Sequence, residues 1–128
     1  MEPTRANRTS RQLKALSDVN RIRILAILVE GECCVSHLVD SLAIDQPKVS
    51  HHLAILRSAG VIRNRRDGRR INYSVLPTVH RRVHRDVGVV DEFDLGEVAV
   101  SFRFARAREE EDEAEASAAE DREAAAAL

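Results

Sequence analysis

Two cysteines stand side by side in the stretch GECCVSHLVD, residues 31–40, and they are the only thiols in the chain. Cys33 lies four positions before His37 and Cys34 three, so a helix starting here would bring all three side chains to one side. Two thiolates and an imidazole suit zinc, cadmium or an arsenite-like thiophile, with a fourth ligand still to be found. A thiol at a helix N-terminus is also more acidic than a free one and more open to oxidation. A sulfenic acid formed on one cysteine could condense with its neighbour. Adjacent α-carbons lie ~3.8 Å apart, below the usual ~4.4–6.8 Å of a disulfide, so that bridge would be strained and easily reduced. It would serve as a switch and not as a staple. In a third reading both cysteines are small buried hydrophobes and His37 is a surface residue. On these residues alone the three readings stay open.

The elements around the pair decide what it could control. Residues 1–9 are polar and read as a loose N-terminus. A helical pattern begins at Ser10, with Leu13 and Leu16 spaced for one face. Asp18 suits the N-cap of a second helix carrying Ile22, Leu25, Ala26 and Val29, ended by Gly31. A short third helix follows with Val35, Leu38, Val39 and Leu42 apolar. After a break at residues 43–45, Asp45 is a good N-cap for a fourth helix with Pro47 in its first turn. Its buried stripe is Val49, Leu53 and Leu56, which leaves Lys48, Ser50, His51 and Ala54 largely outside. Gly60 ends it.

Beyond Gly60 the period changes. VIRNRRDGRRINYSV forms two short segments about Asp67-Gly68, a strong hairpin signal. Pro77 is expected to open a fifth helix with Val79, Val83, Val87 and Val90 on one side, an apolar stripe suited to a second copy of the chain. Val98, Val100, Phe102 and Phe104 then alternate as in a half-buried strand. Residues 105–128, rich in Ala and Glu, lack an apolar face and read as a solvated helix or disorder. The organisation expected is therefore residues 1–9 loose, residues 10–104 one domain, and residues 105–128 an acidic tail.

Charge is divided along the same lines. Residues 109–128 hold nine acids and one base, a net charge of -8, and residues 1–108 carry +7. A basic domain with an acidic appendage points to a polyanionic partner. A short helix, a tight turn and a helix with one buried stripe make a helix-turn-helix. An arginine-tipped hairpin directly after it makes the fold class a winged helix-turn-helix, mainly α with a small β wing. The second helix of such a unit enters the major groove of double-stranded DNA with its N-terminal residues. Gln46, Lys48, Ser50 and His51 are the candidates for that role. Arg63, Arg65, Arg66, Arg69 and Arg70 of the hairpin would lie along phosphates or in the minor groove.

LKALSDVNRIRILAILVEGE, DQPKVSHHLAILRSAGVI and RRDGRRINYSV together resemble the ArsR family of bacterial winged-helix repressors, over about residues 10–88. The resemblance implies a homodimer joined through the first and last helices. It also implies repression at a pseudo-palindromic operator, released by an inducer. Thiol sensors of the family often carry Glu-Leu-Cys-Val-Cys-Asp-Leu before the recognition helix. Here those positions are Glu32, Cys33, Cys34, Val35, Ser36, His37 and Leu38. Cys34 matches the first family cysteine, Ser36 replaces the second, and Cys33 stands in place of a leucine. The C-terminal Asp-Leu-Gly-Cys-Cys of many relatives is Asp94, Leu95, Gly96, Glu97 and Val98. His80 and His84 do not match the zinc-sensor pattern of the last helix. These departures favour oxidation at Cys33 and Cys34 as the inducing event, with Zn, Cd or As(III) at Cys33, Cys34 and His37 as the alternative. A module with no inducer, binding DNA or a protein, is the alternative of another class.

No Ser/His/Asp set, carboxylate pair or phosphate loop occurs, so neither catalysis nor a required cofactor is expected. No apolar run reaches the length of a membrane span, and no leader pattern opens the chain. The expected location is the cytoplasm, at the nucleoid, where thiols stay reduced.

Overall fold

Asp18 shows how local chemistry sets the helix boundaries. Its Oδ2 accepts from the backbone N–H groups of Asn20 at 2.9 Å and Arg21 at 3.1 Å, capping a helix that would otherwise begin with unpaired donors. In a computed structural model describing residues 2–104 and 119–126, that helix is α2 (Val19–Leu28), preceded by α1 (Pro3–Leu16). Arg21 fastens the corner between them, with Nε donating to the Ala15 carbonyl at 2.7 Å. There follow β1 (Cys33–Cys34), α3 (Val35–Leu42) and α4 (Gln46–Ser58), then β2 (Ile62–Asp67) and β3 (Arg70–Val75). The described chain continues with β4 (His80–Arg85), β5 (Gly88–Asp94) and β6 (Ala99–Phe102), and residues 119–126 are helical.

The helix-turn-helix is α3 and α4. Ala43 closes α3 in the left-handed conformation, φ 55°, and Asp45 Oδ1 caps α4 by accepting from Lys48 N–H at 3.1 Å. The wing is the antiparallel pair β2–β3, in register from Ile62–Val75 to Asp67–Arg70. Its two-residue loop starts with Gly68 at φ 62°, where a Cβ would be strained. Leu16, Ile24, Leu25, Leu28, Leu38, Leu42, Val49, Leu53 and Leu56 form one buried cluster, continued by Val61, Ile62, Phe93 and Leu95.

Several expectations need correction. α1 begins at Pro3, so residues 3–9 are helical where a loose segment was expected, and Thr9 is buried. Proline is tolerated at the first helical turn and presets its φ. α1 buries Thr9, Gln12, Ala15 and Leu16, while Leu13 is 39% exposed. The stripe of α2 centres on Ile24, Leu25 and Leu28, not on Ile22, Ala26 and Val29.

The largest correction concerns the fifth helix expected from Pro77. That segment is the hairpin β4–β5, extended by β6 into a second three-stranded sheet. Spacing of four between valines served two architectures equally well. Pairing decides it, because Val83 lies opposite Val90 and His80 opposite Phe93. β-branched residues favour the pleated surface, and Gly88 supplies φ 102° at the tight connection. A homodimer joined through a helix at residues 78–90 is therefore not available to this chain. β6, whose partner the sequence left open, pairs with β5 from Asp94–Ala99 to Asp91–Phe102.

An ion network centred on the buried Asp91 ties this second sheet to the helices. Asp91, only 4% exposed in its side chain, takes His80 Nε2 at 2.7 Å and Arg82 Nε at 3.1 Å. Arg82 Nη2 also reaches Glu30 Oε1 at 2.9 Å, just past the end of α2.

Loss of the α2 cap through Asp18→Ala should cost about 1 kcal/mol in reversible denaturation, since two backbone donors lose their acceptor. Leu53→Ala, in the middle of the cluster, should cost about 2–5 kcal/mol. A smaller loss at Leu53 than at Asp18 would contradict the placement of the core.

Candidate nucleic-acid interface and thiol site

α4 turns one face inward and leaves the other bare. Val49, Leu53 and Leu56 are buried, and Gln46, Lys48, Ser50 and His51 are all exposed, as the amphipathic spacing requires. Gln46 and Lys48 lie in the first turn, where the helix N-terminus adds positive potential. His52 turns the other way. It is half-buried, its Nδ1 lies 3.3 Å from Arg21 Nη1, and burial pushes its pKa below the ordinary histidine value.

The wing arginines are all exposed, but they are not equivalent. Arg65 donates through Nε and Nη2 to the Glu32 carboxylate, which that contact holds below the usual carboxylate range. Arg63 Nε donates to Ser74 Oγ at 3.4 Å. Arg66, Arg69 and Arg70 have no ion pair among the described residues. The freest guanidiniums are thus at the tip, around Gly68.

The thiols occupy a place that the sequence did not reveal. Cys33 and Cys34 form β1, a third strand on the wing sheet, with Cys33 opposite Tyr73 and Cys34 opposite Asn72. Successive strand residues point to opposite faces, so the two side chains part. Cys33 packs against the hydrophobic cluster, and burial, Cys34 and Glu32 push its thiol up to about 11. Cys34 shares its face with Asn72 and Arg65, since paired residues project to the same side. It is also the N-cap residue of α3, and its Sγ lies 3.3 Å from Ser36 Oγ. The Ser36 hydroxyl, the His37 backbone N–H and the Arg70 charge lower its pKa.

Cys33, Cys34, His37, Arg70, Glu32 and Asn72 border one open groove of about 600 Å³. Even so, no three His, Cys, Asp or Glu side chains are gathered closely enough to hold a metal ion among the described residues. His80 and His84 are not a chelating pair. On β4 they are four strand residues apart, ~13 Å at ~3.3 Å per residue, and His80 is engaged by Asp91. A two-residue strand is too short for any periodicity to announce it. The Glu32–Arg65 and Arg82–Asp91 pairs also span too much sequence to be read from local pattern.

Three helices with an arginine-tipped hairpin set against the last of them define a winged helix-turn-helix. The family model described as "Bacterial regulatory protein, arsR family" matches residues 18–64. The chain is 45% identical over 80 residues to the arsenic resistance transcriptional regulator ArsR1 of Pseudomonas putida, covering 61% of this chain and 62% of that protein. It thus spans about three-fifths of that relative's length. Among solved structures, HlyU from Vibrio cholerae superposes with a TM-score of 0.56 at 31% identity, over 61% of this chain and 84% of that one. The homodimeric winged helix-turn-helix DNA-binding domain of Mb0332 from Mycobacterium bovis gives 0.54 at 28% identity, over 59% and 72%. The chain belongs to the arsR family.

The divided thiols should react at different rates. A lowered pKa leaves thiolate present at lower pH, so alkylation of Cys34 by iodoacetamide should level off below the pH of an ordinary thiol. Alkylation of Cys33 should keep rising toward about 11. The raised value of Cys33 and the lowered value of Cys34 act in the same direction, and although an acidic thiolate is a weaker nucleophile, Cys34 should run ahead by about tenfold at neutral pH. Peptide mapping by mass spectrometry reads both rates, and equal rates would refute the asymmetry.

Proposed function

We propose that the chain is a DNA-binding transcriptional repressor, working as a two-fold homodimer on a pseudo-palindromic operator and released by oxidation at Cys34. The observation that carries the DNA reading is the exposed row Gln46, Lys48, Ser50 and His51 on α4, set beside a wing that carries Arg63, Arg65, Arg66, Arg69 and Arg70. In this reading α4 enters the major groove, and the arginine tip follows the flanking phosphates or minor groove. Half-sites would lie ~34–36 Å apart, one helical turn. Residues 10–104 act as the DNA-binding and dimerisation unit and residues 105–128 as an acidic appendage. The protein works at the nucleoid in the cytoplasm and needs no resident cofactor.

Position supports the redox step. Cys34 joins the start of α3 to the base of the wing, so a change at its sulfur acts on both DNA-binding parts at once. The thiolate attacks a peroxide oxygen, the O–O bond breaks and hydroxide or alkoxide leaves, giving Cys34 sulfenic acid. Condensation with the Cys33 thiol forms an S–S bond and releases water. Because the two side chains point to opposite faces of β1, that bond requires the strand to leave Tyr73 and Asn72. The unpairing shifts the wing base, and thiol reduction restores it.

A thiophilic metal or metalloid inducer is the second reading. It is favoured by the single groove shared by Cys33, Cys34 and His37, and by the arsenic resistance named for the Pseudomonas putida relative. The deciding experiment measures operator affinity of the pure protein with and without peroxide, arsenite, cadmium and zinc. Peroxide should weaken binding in wild type and leave Cys34→Ser unaffected. A response to arsenite or cadmium alone would select the metal reading. No response to any of them, with a double Cys→Ser variant behaving as wild type, would leave a DNA-binding module without this sensor.

Removing the wing tip tests the DNA reading separately. Arg69→Ala combined with Arg70→Ala should weaken binding to every sequence. It should also flatten the dependence of log K on log salt by about 0.9 for each phosphate no longer neutralised. An unchanged slope would mean that the tip does not meet the backbone.

A further inference from the structure

A second cavity lies away from the thiols and meets the DNA-reading row only at His51. It is an open groove of about 930 Å³ between α1, α4 and the β5–β6 connection, a volume in the range of small-molecule sites (~300–1,000 Å³). Ala15, Ala54, Ile55, Val79 and Leu95 give it an apolar wall, and His51 belongs to its border.

Two features of the groove call for a ligand. Gln12 lines it and is only 8% exposed. Its Nε2 donates to the Ala59 carbonyl at 3.3 Å, and its buried Oε1 meets no donor. A buried acceptor left without a partner is costly and rare. Independently, Arg8 and Arg11 stand exposed on the same groove with no ion pair or hydrogen bond among the described residues. The acid bordering the groove is Asp94, which accepts the Gly96 N–H at 2.8 Å through Oδ1. Two arginines against one carboxylate leave the groove net positive.

We infer that this groove binds a small amphipathic anion, with its apolar body against Ala54, Ile55 and Leu95 and its acidic group at Arg8 and Arg11. A donor on the ligand would answer the Gln12 carbonyl oxygen. The site is separate from the thiol groove and is complete within one chain. It does not depend on the DNA reading.

Fluorescence titration of the full chain with anilinonaphthalene sulfonate, and with its uncharged relative N-phenylnaphthylamine, tests this without DNA. The sulfonate should bind saturably and at least about tenfold more tightly than the neutral probe, a difference of ~1.4 kcal/mol. Arg8→Ala combined with Arg11→Ala should erase that preference while leaving the neutral probe in place. Ala54→Phe, which fills the groove from an exposed position, should reduce both probes, with its fold checked by thermal melting. Equal affinity of the two probes, or sulfonate binding indifferent to the arginine and Ala54 variants, would overturn the inference. So would absence of binding by the folded chain, the result expected if a second copy or the acidic tail covers the groove.

Discussion

Two residue pairs, Cys33 with Tyr73 and Cys34 with Asn72, join the wing to the helices. Without them the wing would be a two-stranded hairpin anchored at its base by Ile62, Tyr73 and Val75 against the hydrophobic cluster. With them the wing sheet has three strands and its base runs directly into α3. The arginine tip and the exposed row of α4 are thereby held in one arrangement, as the DNA reading requires. The same pairing sends one cysteine inward and the other outward, so the mechanical joint and the chemical asymmetry have one cause.

Charge is distributed so that the ordered face keeps its cations. Arg65 is taken up by Glu32, and Arg81 and Arg85 by Glu92 on the second sheet. Arg66, Arg69, Arg70 and Lys48 stay uncommitted among the described residues, on the face that the DNA reading uses. Exposed ion pairs of this kind add little stability. The more buried group is Asp91, which needs both His80 and Arg82 because a carboxylate removed from water is costly unless paired. Through Arg82 and Glu30 it locks the second sheet, formed where the valine spacing had suggested a helix, onto the end of α2.

The helices were legible in the sequence wherever capping chemistry and a single apolar stripe agreed. Asp18, Asp45, Gly60 and the Asp67-Gly68 pair each mark a boundary through a local preference that needs no distant partner. Agreement failed in the valine-rich segment after Pro77. There, residues at intervals of four satisfied a helix, while β-branching and Gly88 satisfied a hairpin. The candidate DNA-facing residues were legible for the same reason as the helices, since an exposed face is the complement of a buried one.

What the sequence determined by itself, then, is the helix-turn-helix, the arginine hairpin and the opposition of a basic body to an acidic tail, because each depends on interactions within a few residues or on composition. Only the tertiary structure decided the rest. β1 exists because Tyr73 and Asn72 arrive beside it from about forty residues further along the chain. The thiols differ because one strand has two faces, and the groove at Gln12 forms where α1, α4 and the second sheet meet. Pairings of that range leave no periodicity to read, and they become visible only once the chain has closed on itself.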